Sequence, residues 1–156
     1  MTATGTLPSV DHVSFYAALA AEMNAHPERY EPLGDVDIDL AVVVRLPADA
    51  FRVRLLFQGI RCENVTQIGD GDEQTADCWL DADLEAWQAM VDDIRAHGRA
   101  TGEHTLNSLT LVGQRVAIRG EDPMGVDRFF RFNQTLQTFF DGAAVLAATP
   151  AVTAIH

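Results

Sequence analysis

From Asp35 to Leu46 the chain alternates. Val36, Ile38, Leu40, Val42, Val44 and Leu46 fall on one side, with Asp35, Asp37, Asp39 and Arg45 on the other. That is the period of a strand with one buried face. After Pro47-Ala48-Asp49 the apolar set moves to odd positions, Phe51, Val53, Leu55 and Phe57, opposite Arg52, Arg54 and Gln58. The two runs predict a hairpin in which Leu46 faces Phe51, Val44 faces Val53 and Val42 faces Leu55. A slip of one residue would turn one strand's apolar set to water. Gly59 is placed to bend the second strand, Arg61 to Ile68 reads as a third, and Gly69-Asp70-Gly71-Asp72 is a turn by composition. A fourth strand, Ala76 to Asp81, sets Ala76, Cys78 and Leu80 against Asp77, Trp79 and Asp81.

Helical spacing appears on either side of this block. Ser9 or Asp11 can cap a first helix running to Ala25, with Val10, Val13, Ala17 and Ala20 on one face and Pro27 as its stop. Asp83 caps a second to about His97, where Leu84, Trp87, Val91 and Ile94 share a stripe and Gly98 ends the run. A short helix over Glu103 to Leu109 precedes a fifth strand, Gln114 to Gly120, with Val116 and Ile118 facing inward. A last helix runs from about Gly125 to Phe140 and ends at Asp141-Gly142. The order predicts an α+β fold with one mainly antiparallel five-stranded sheet. It forms a single domain over 1–156, its ordered core about 9–142, with flexible tails at 1–6 and 143–156.

The last helix concentrates the aromatic residues: five of the 8 phenylalanines lie between Phe129 and Phe140. At about 100° per residue, Phe129, Phe132, Leu136, Phe139 and Phe140 share an arc of roughly 120°, while Asp127, Arg128, Arg131, Gln134 and Thr138 lie opposite. Such a face has to be covered by the sheet, a ligand or another chain, and core packing accounts for most of these rings. Asn133 is the exception. It projects into the arc, where an unpaired amide costs about 1–3 kcal/mol. Backbone, a buried water or a polar group of a ligand would have to satisfy it.

Charge narrows the classes of function. The 11 basic residues are all arginine against 23 acidic ones, a formal net charge of -12. Without lysine there is no Schiff-base chemistry and no P-loop lysine. Phosphate-backbone binding needs clustered positive charge, so nucleic acid is not an expected partner, and an acidic surface does not favour anionic lipid. No apolar run reaches the ~20 residues of a membrane span, and the expected setting is cytoplasmic. Two cysteines do not make a disulfide framework.

Ala76-Asp77-Cys78-Trp79-Leu80 entering Asp83-Leu84-Glu85-Ala86-Trp87, and Leu109-Thr110-Leu111-Val112-Gly113 entering Val116-Ala117-Ile118-Arg119-Gly120, together resemble the sterol carrier protein 2 superfamily. The resemblance covers about Asp35 to Gly142. It implies an open sheet of about five strands covered by helices, an apolar tunnel between them for a sterol, fatty acid or acyl-CoA, and no catalytic residues to carry over. Ser108-Leu109 replaces the phenylalanine-methionine pair frequent in that family, and the segment from Gly120 to Leu136 is more elaborate than its pattern.

These readings lead to non-catalytic carriage of a lipid-like small molecule, with Trp87, Val116, Ile118, Phe129, Phe132, Asn133, Leu136 and Phe140 lining the tunnel. Two alternatives stay open. One is an isomerase or cyclase acting on a hydrophobic substrate, using Asp77, Asp81 or His104 as base. The other is a homodimerising module that buries Phe139 and Phe140 against a second copy.

Other candidate chemistry is weak. Asp35, Asp37 and Asp39 on one strand face cannot wrap a cation. Asp70, Asp72 and Asp77 lack the EF-hand spacing, and His97 and His104 lack the i, i+4 pairing of a helical metal motif. No metal or cofactor is expected. Cys62 and Cys78 are read as reduced thiols that can approach on neighbouring strands, and Arg115 and Arg119 as partners for Asp127 or the acidic first strand.

Overall fold

The computed structural model describes residues 9–111 and 115–148. β1 (Val36–Arg45) and β2 (Ala50–Gly59) form the expected hairpin on the expected faces, but two residues out of the expected register. Val44 faces Phe51, Val42 faces Val53 and Leu40 faces Leu55. A shift of two leaves every side chain on its own face, so the apolar pattern cannot distinguish the two pairings. The connection decides instead: the Leu46 amide donates to the Asp49 carbonyl at 2.8 Å, closing the loop between Arg45 and Ala50.

β3 (Arg61–Ile68) lies antiparallel on β2, after Gly59 turns the chain at φ +64°. β4 (Cys78–Asp83) pairs with the other side of β1 in parallel, and β5 (Ala117–Arg119) lies antiparallel on β4. The order is β3-β2-β1-β4-β5, so the first strand along the chain is the centre of the sheet. β5 is shorter than its sequence pattern predicts, and its expected start at Gln114 lies outside the described residues.

α1 (Val13–Ala25) buries Phe15, Tyr16, Leu19, Ala20 and Met23; of the expected face, Val10 and Ala20 are buried, Val13 is partly buried and Ala17 is exposed. Alanines on all sides leave that choice to the large residues spaced four apart, Phe15, Leu19 and Met23. Neither Ser9 nor Asp11 caps it; the N-cap is His12, with no side-chain bond. Instead the Tyr16 hydroxyl donates to the Val10 carbonyl at 2.7 Å. At the other end Asn24 works as a surrogate strand residue, giving and taking a hydrogen bond with the Cys62 backbone at 3.0 Å each. α2 (Leu84–His97) matches its prediction: Asp83 accepts from the Ala86 amide at 2.8 Å, and Gly98 at φ +84° ends the helix.

The expected last helix, from about Gly125 to Phe140, is two helices. α3 (Leu106–Leu109) follows a one-turn 3-10 segment, and then come α4 (Pro123–Arg131), α5 (Asn133–Asp141) and α6 (Ala143–Ala148). Phe132 at φ -106°, ψ 18° interrupts the first pair. Of the expected tail after Gly142, residues 143–148 continue as α6 with Ala143 buried, while 149–156 and the expected tail at 1–6 lie outside the described residues.

The inner sheet face, Ile38, Leu40, Val42, Val53, Leu55, Phe57 and Leu80, is fully buried in one core cluster with residues of α1, α2 and α5. The outer face carries a small cluster of Ala41, Val43, Ala76 and Trp79, with ion pairs from Arg54 to Asp39, from Arg45 to Asp81 (2.6 Å) and from Arg119 to Asp81 (3.4 Å). Arg115 approaches Asp83 at 3.9 Å, so the arginines around β5 meet β4 carboxylates and not Asp127, which pairs with Arg131. Among the described residues no helix is long and apolar enough to cross a membrane.

α4 docks through the absence of a side chain. A Cβ on the buried Gly125 would lie 2.0 Å from the Asp77 carbonyl oxygen, and one on Gly120 would lie 2.8 Å from Val126. Arg128 locks the approach, donating to the Asp37 carbonyl at 2.7 Å. Asp122 caps the helix by accepting from the Met124 amide at 2.9 Å. Gly125→Ala should therefore cost about 1–3 kcal/mol, the usual range for overpacking, read as a lowered urea midpoint. An unchanged midpoint would show that α4 does not sit on Asp77.

Candidate functional site

Beneath α5 the aromatic residues form a continuous layer. Tyr16 stacks on Phe51 with ring centroids 5.9 Å apart and meets the edge of Phe140 at 6.4 Å. Trp87 stacks on Phe140 at 5.9 Å, and Phe57 meets Phe139 edge-on at 5.0 Å. The polar ends are satisfied, since the Trp87 indole donates to the Val43 carbonyl at 2.9 Å. Burial pushes the Tyr16 hydroxyl well above its ordinary pKa.

Of the tunnel residues expected from sequence, Trp87, Phe129, Leu136 and Phe140 are 0% exposed and Val116 is 2% exposed. Phe132 and Ile118 are partly buried against the same cluster. A side chain with no accessible surface faces no space that a water-sized sphere can enter. The interior these residues form is therefore closed by ring-on-ring packing, where the sequence reading expected it hollow. Phe139 and Phe140 are equally inaccessible, so neither is free to cover a second copy. Among the described residues the exposed large apolar side chains are Leu33, Leu111, Met124 and Phe130.

Asn133 is not in this layer. The break at Phe132 restarts the helix, and Asn133, Gln137 and Asp141, spaced four apart, become the polar stripe of α5. Facing them is the segment from Arg99 to Thr105, and between the two lies a cleft of about 540 Å3. Gln137 spans one wall: its Oε1 accepts from the Leu106 amide at 2.7 Å and its Nε2 donates to Asp141 Oδ1 at 3.0 Å. The same Asp141 oxygen accepts from the Ala100 amide at 3.0 Å. Burial raises the Asp141 pKa against these two donors. Asn133 Nδ2 is shielded from solvent and has no hydrogen-bond partner.

The loop wall of the cleft is anchored by Asp93, on the last turns of α2. Its carboxylate accepts from the Thr101 amide at 2.6 Å and from the Thr101 hydroxyl at 3.0 Å. The His97 and His104 rings stand 3.0 and 3.7 Å from one of its oxygens. Burial of Asp93 opposes ionisation, but the Thr101 donors and the two histidines outweigh it and hold the carboxyl below its ordinary pKa.

No protein-family model matches the chain, and no curated protein is similar to it in sequence. Among solved structures it is similar to one titled "Crystal structure of sterol carrier protein 2", with a TM-score of 0.66 and 16% identity over 87% of this chain and 98% of that chain. The chain has the sterol carrier protein 2 fold. At that identity the likeness is one of architecture: the α+β plan and five-stranded, mainly antiparallel sheet read from the sequence are those of that fold.

On this fold the residues nominated as catalytic bases do separate jobs. Asp77 Oδ2 accepts from the Asp39 amide at 2.9 Å, Asp81 pairs with Arg45 and Arg119, and His104 belongs to the Asp93 cluster. The acidic turn is likewise dispersed: Asp70 meets Arg52 at 3.0 Å and Asp72 accepts from the Gly69 amide at 2.9 Å. Among the described residues no three His, Cys, Asp or Glu side chains gather as a metal site. Cys62 and Cys78 sit on β3 and β4, with β2 and β1 between them, so they are not neighbours. Burial pushes their thiols up to about 11 and about 12.

The cleft was not legible in sequence because its walls come from segments about thirty residues apart, Leu106 and Gln137 among them. The i, i+4 recurrence of Asn133, Gln137 and Asp141 was the available signal. Folding lowers the proton affinity of Asp93. Its contribution to stability is therefore complete above the unfolded value of about 3.9 and is lost as pH falls through the lower folded value. Asp93→Asn should lower stability at pH 7 and flatten the acid limb of a urea-midpoint curve below about pH 4. Parallel acid limbs for variant and parent would remove Asp93 from this role.

Proposed function

We propose that this protein binds and carries a hydrophobic small molecule of sterol or fatty-acid type between the inner sheet face and the helices covering it. The observation that carries the reading is the likeness of nearly the whole chain to a structure titled as a sterol carrier, with an aromatic layer between its sheet and helices. In this reading Trp87, Val116, Ile118, Phe129, Phe132, Leu136 and Phe140 contact the guest.

Because the layer is closed, the guest has to displace a cover, and α5 with α6 is the cover best suited to move. Both are short, they are joined at Gly142, and they rest on α1 and α2 through apolar contacts. Gly142 allows that joint to lie against α1, since a Cβ there would come 3.4 Å from Leu19 and 3.1 Å from the Phe139 carbonyl. Aromatic side chains bury about 150–250 Å2 each. A guest therefore compensates for lifting them only by offering apolar area of similar size, which a sterol or long acyl chain does and a small polar metabolite does not.

Native mass spectrometry after gentle purification should show a bound lipid that organic extraction releases. The stripped protein should take up a fluorescent fatty acid or sterol. Association should be slow, below the ~10⁵ M⁻¹s⁻¹ typical of open sites, because the cover has to move first. A clean mass together with no uptake of either probe would overturn the reading.

A further inference from the structure

We propose that the cleft between α5 and the segment from Arg99 to Thr105 is a second binding site, one that takes a hydroxyl-bearing, uncharged polar group such as a sugar ring. The cleft has about 540 Å3, inside the roughly 300–1,000 Å3 of ligand sites generally. Its lining differs from the aromatic layer in kind: Asn107, Asn133, Gln134 and Gln137 bring four amides, and Thr101 and Thr105 bring hydroxyls.

Charge and valence select the ligand class. One cation, Arg99, and one carboxylate, Asp141, line the cleft together, so its charges offset and favour a ligand of neither sign. The hydrogen bonds already made leave both a donor and an acceptor unspent. Asn133 lines the cleft but its Nδ2 is turned away from solvent without a partner, so a rotation of its amide would bring an unspent donor to a ligand. Among the described residues both donors to Asp141 go to Oδ1, leaving Oδ2 with none. Asn133 and Asp141 stand at opposite ends of α5, about 12 Å apart along its axis, so a ring that carries several hydroxyls, each able to donate and accept, can meet both where a single carboxylate or ammonium does not. Leaving the Asn133 donor unpaired costs about 1–3 kcal/mol, which the protein does not recover by itself. The site is independent of the apolar interior and does not require it to open.

The sugar can be free or the head group of an amphiphile. Side-chain and backbone amide NMR of the isotopically labelled full chain tests this with glucose, with n-octyl-β-D-glucoside below its micelle concentration, and with decanoate as the charged control. Shifts centred on the Asn133 and Gln137 side-chain amides and on Ala100 and Thr101 support the site. Their appearance with glucose assigns a free sugar, and with octyl glucoside alone a glycosylated amphiphile. Asn133→Ala should weaken the productive probe about tenfold, the ~1.4 kcal/mol of one hydrogen bond. Asn107→Ala, at an exposed position, provides a second variant if the first folds poorly. Absence of shifts at these amides, equal shifts at them with decanoate, or an unchanged affinity in both variants would overturn the proposal. Fatty acid uptake by the unmodified protein is scored separately, so failure here and failure of the carrier reading remain distinct.

Discussion

β1 is the strand on which the rest of the molecule is assembled. It is central in the sheet, antiparallel to β2 and parallel to β4, and its apolar side chains are the floor of the core. Side chains from other segments also bond its backbone: the Trp87 indole takes the Val43 carbonyl, Arg128 takes the Asp37 carbonyl and Asp77 takes the Asp39 amide. These bonds fix α2, α4 and the entry to β4 on a single strand. A strand buried on one face and tethered along its length this way cannot slip by one residue without exposing Ile38, Leu40, Val42 and Val44 together.

The ion pairs of the outer face do different work. Arg52 meets Asp70 and Glu73, Arg45 and Arg119 share Asp81, and Arg128 stands between Asp37 and Asp77. Pairs this close to solvent contribute about 1 kcal/mol or less each. Their value lies in placing the few cations of a chain whose formal net charge is -12 beside the carboxylates of β1 and β4, which would otherwise repel one another. Arginine suits the task because one planar guanidinium reaches two carboxylates at once.

The interruption at Phe132 is the local feature that both candidate sites share. It gives α5 two unlike faces. Leu136, Phe139 and Phe140 close the aromatic interior, and Asn133, Gln137 and Asp141 form one wall of the polar cleft. One short helix thus borders both candidate sites. Asp93 steadies the opposite wall through Thr101, tying the end of α2 to the segment that faces α5.

Much of this was written in one dimension. Alternation from Val36 to Phe57 determined which face of each strand is buried, because a period of two depends only on neighbouring residues. Asp83 and Gly98 determined where α2 starts and stops, because caps act within a turn. The identity of the rings that must be buried also followed from residue type alone. The hairpin pairing, shifted by two, was settled by the closure of the connection 46–49, to which apolar periodicity is blind. The buried face of α1 was chosen by the fit of Phe15, Leu19 and Met23 to the core, since alanine-rich periodicity has no strong direction. Whether the aromatic interior is open or closed, and whether Asn133 lies in it or in the cleft, depended on how rings from five elements interlock and on one non-helical residue. Both are properties of packing in three dimensions, and the i, i+4 recurrence of Asn133, Gln137 and Asp141 marks a polar stripe without saying what faces it.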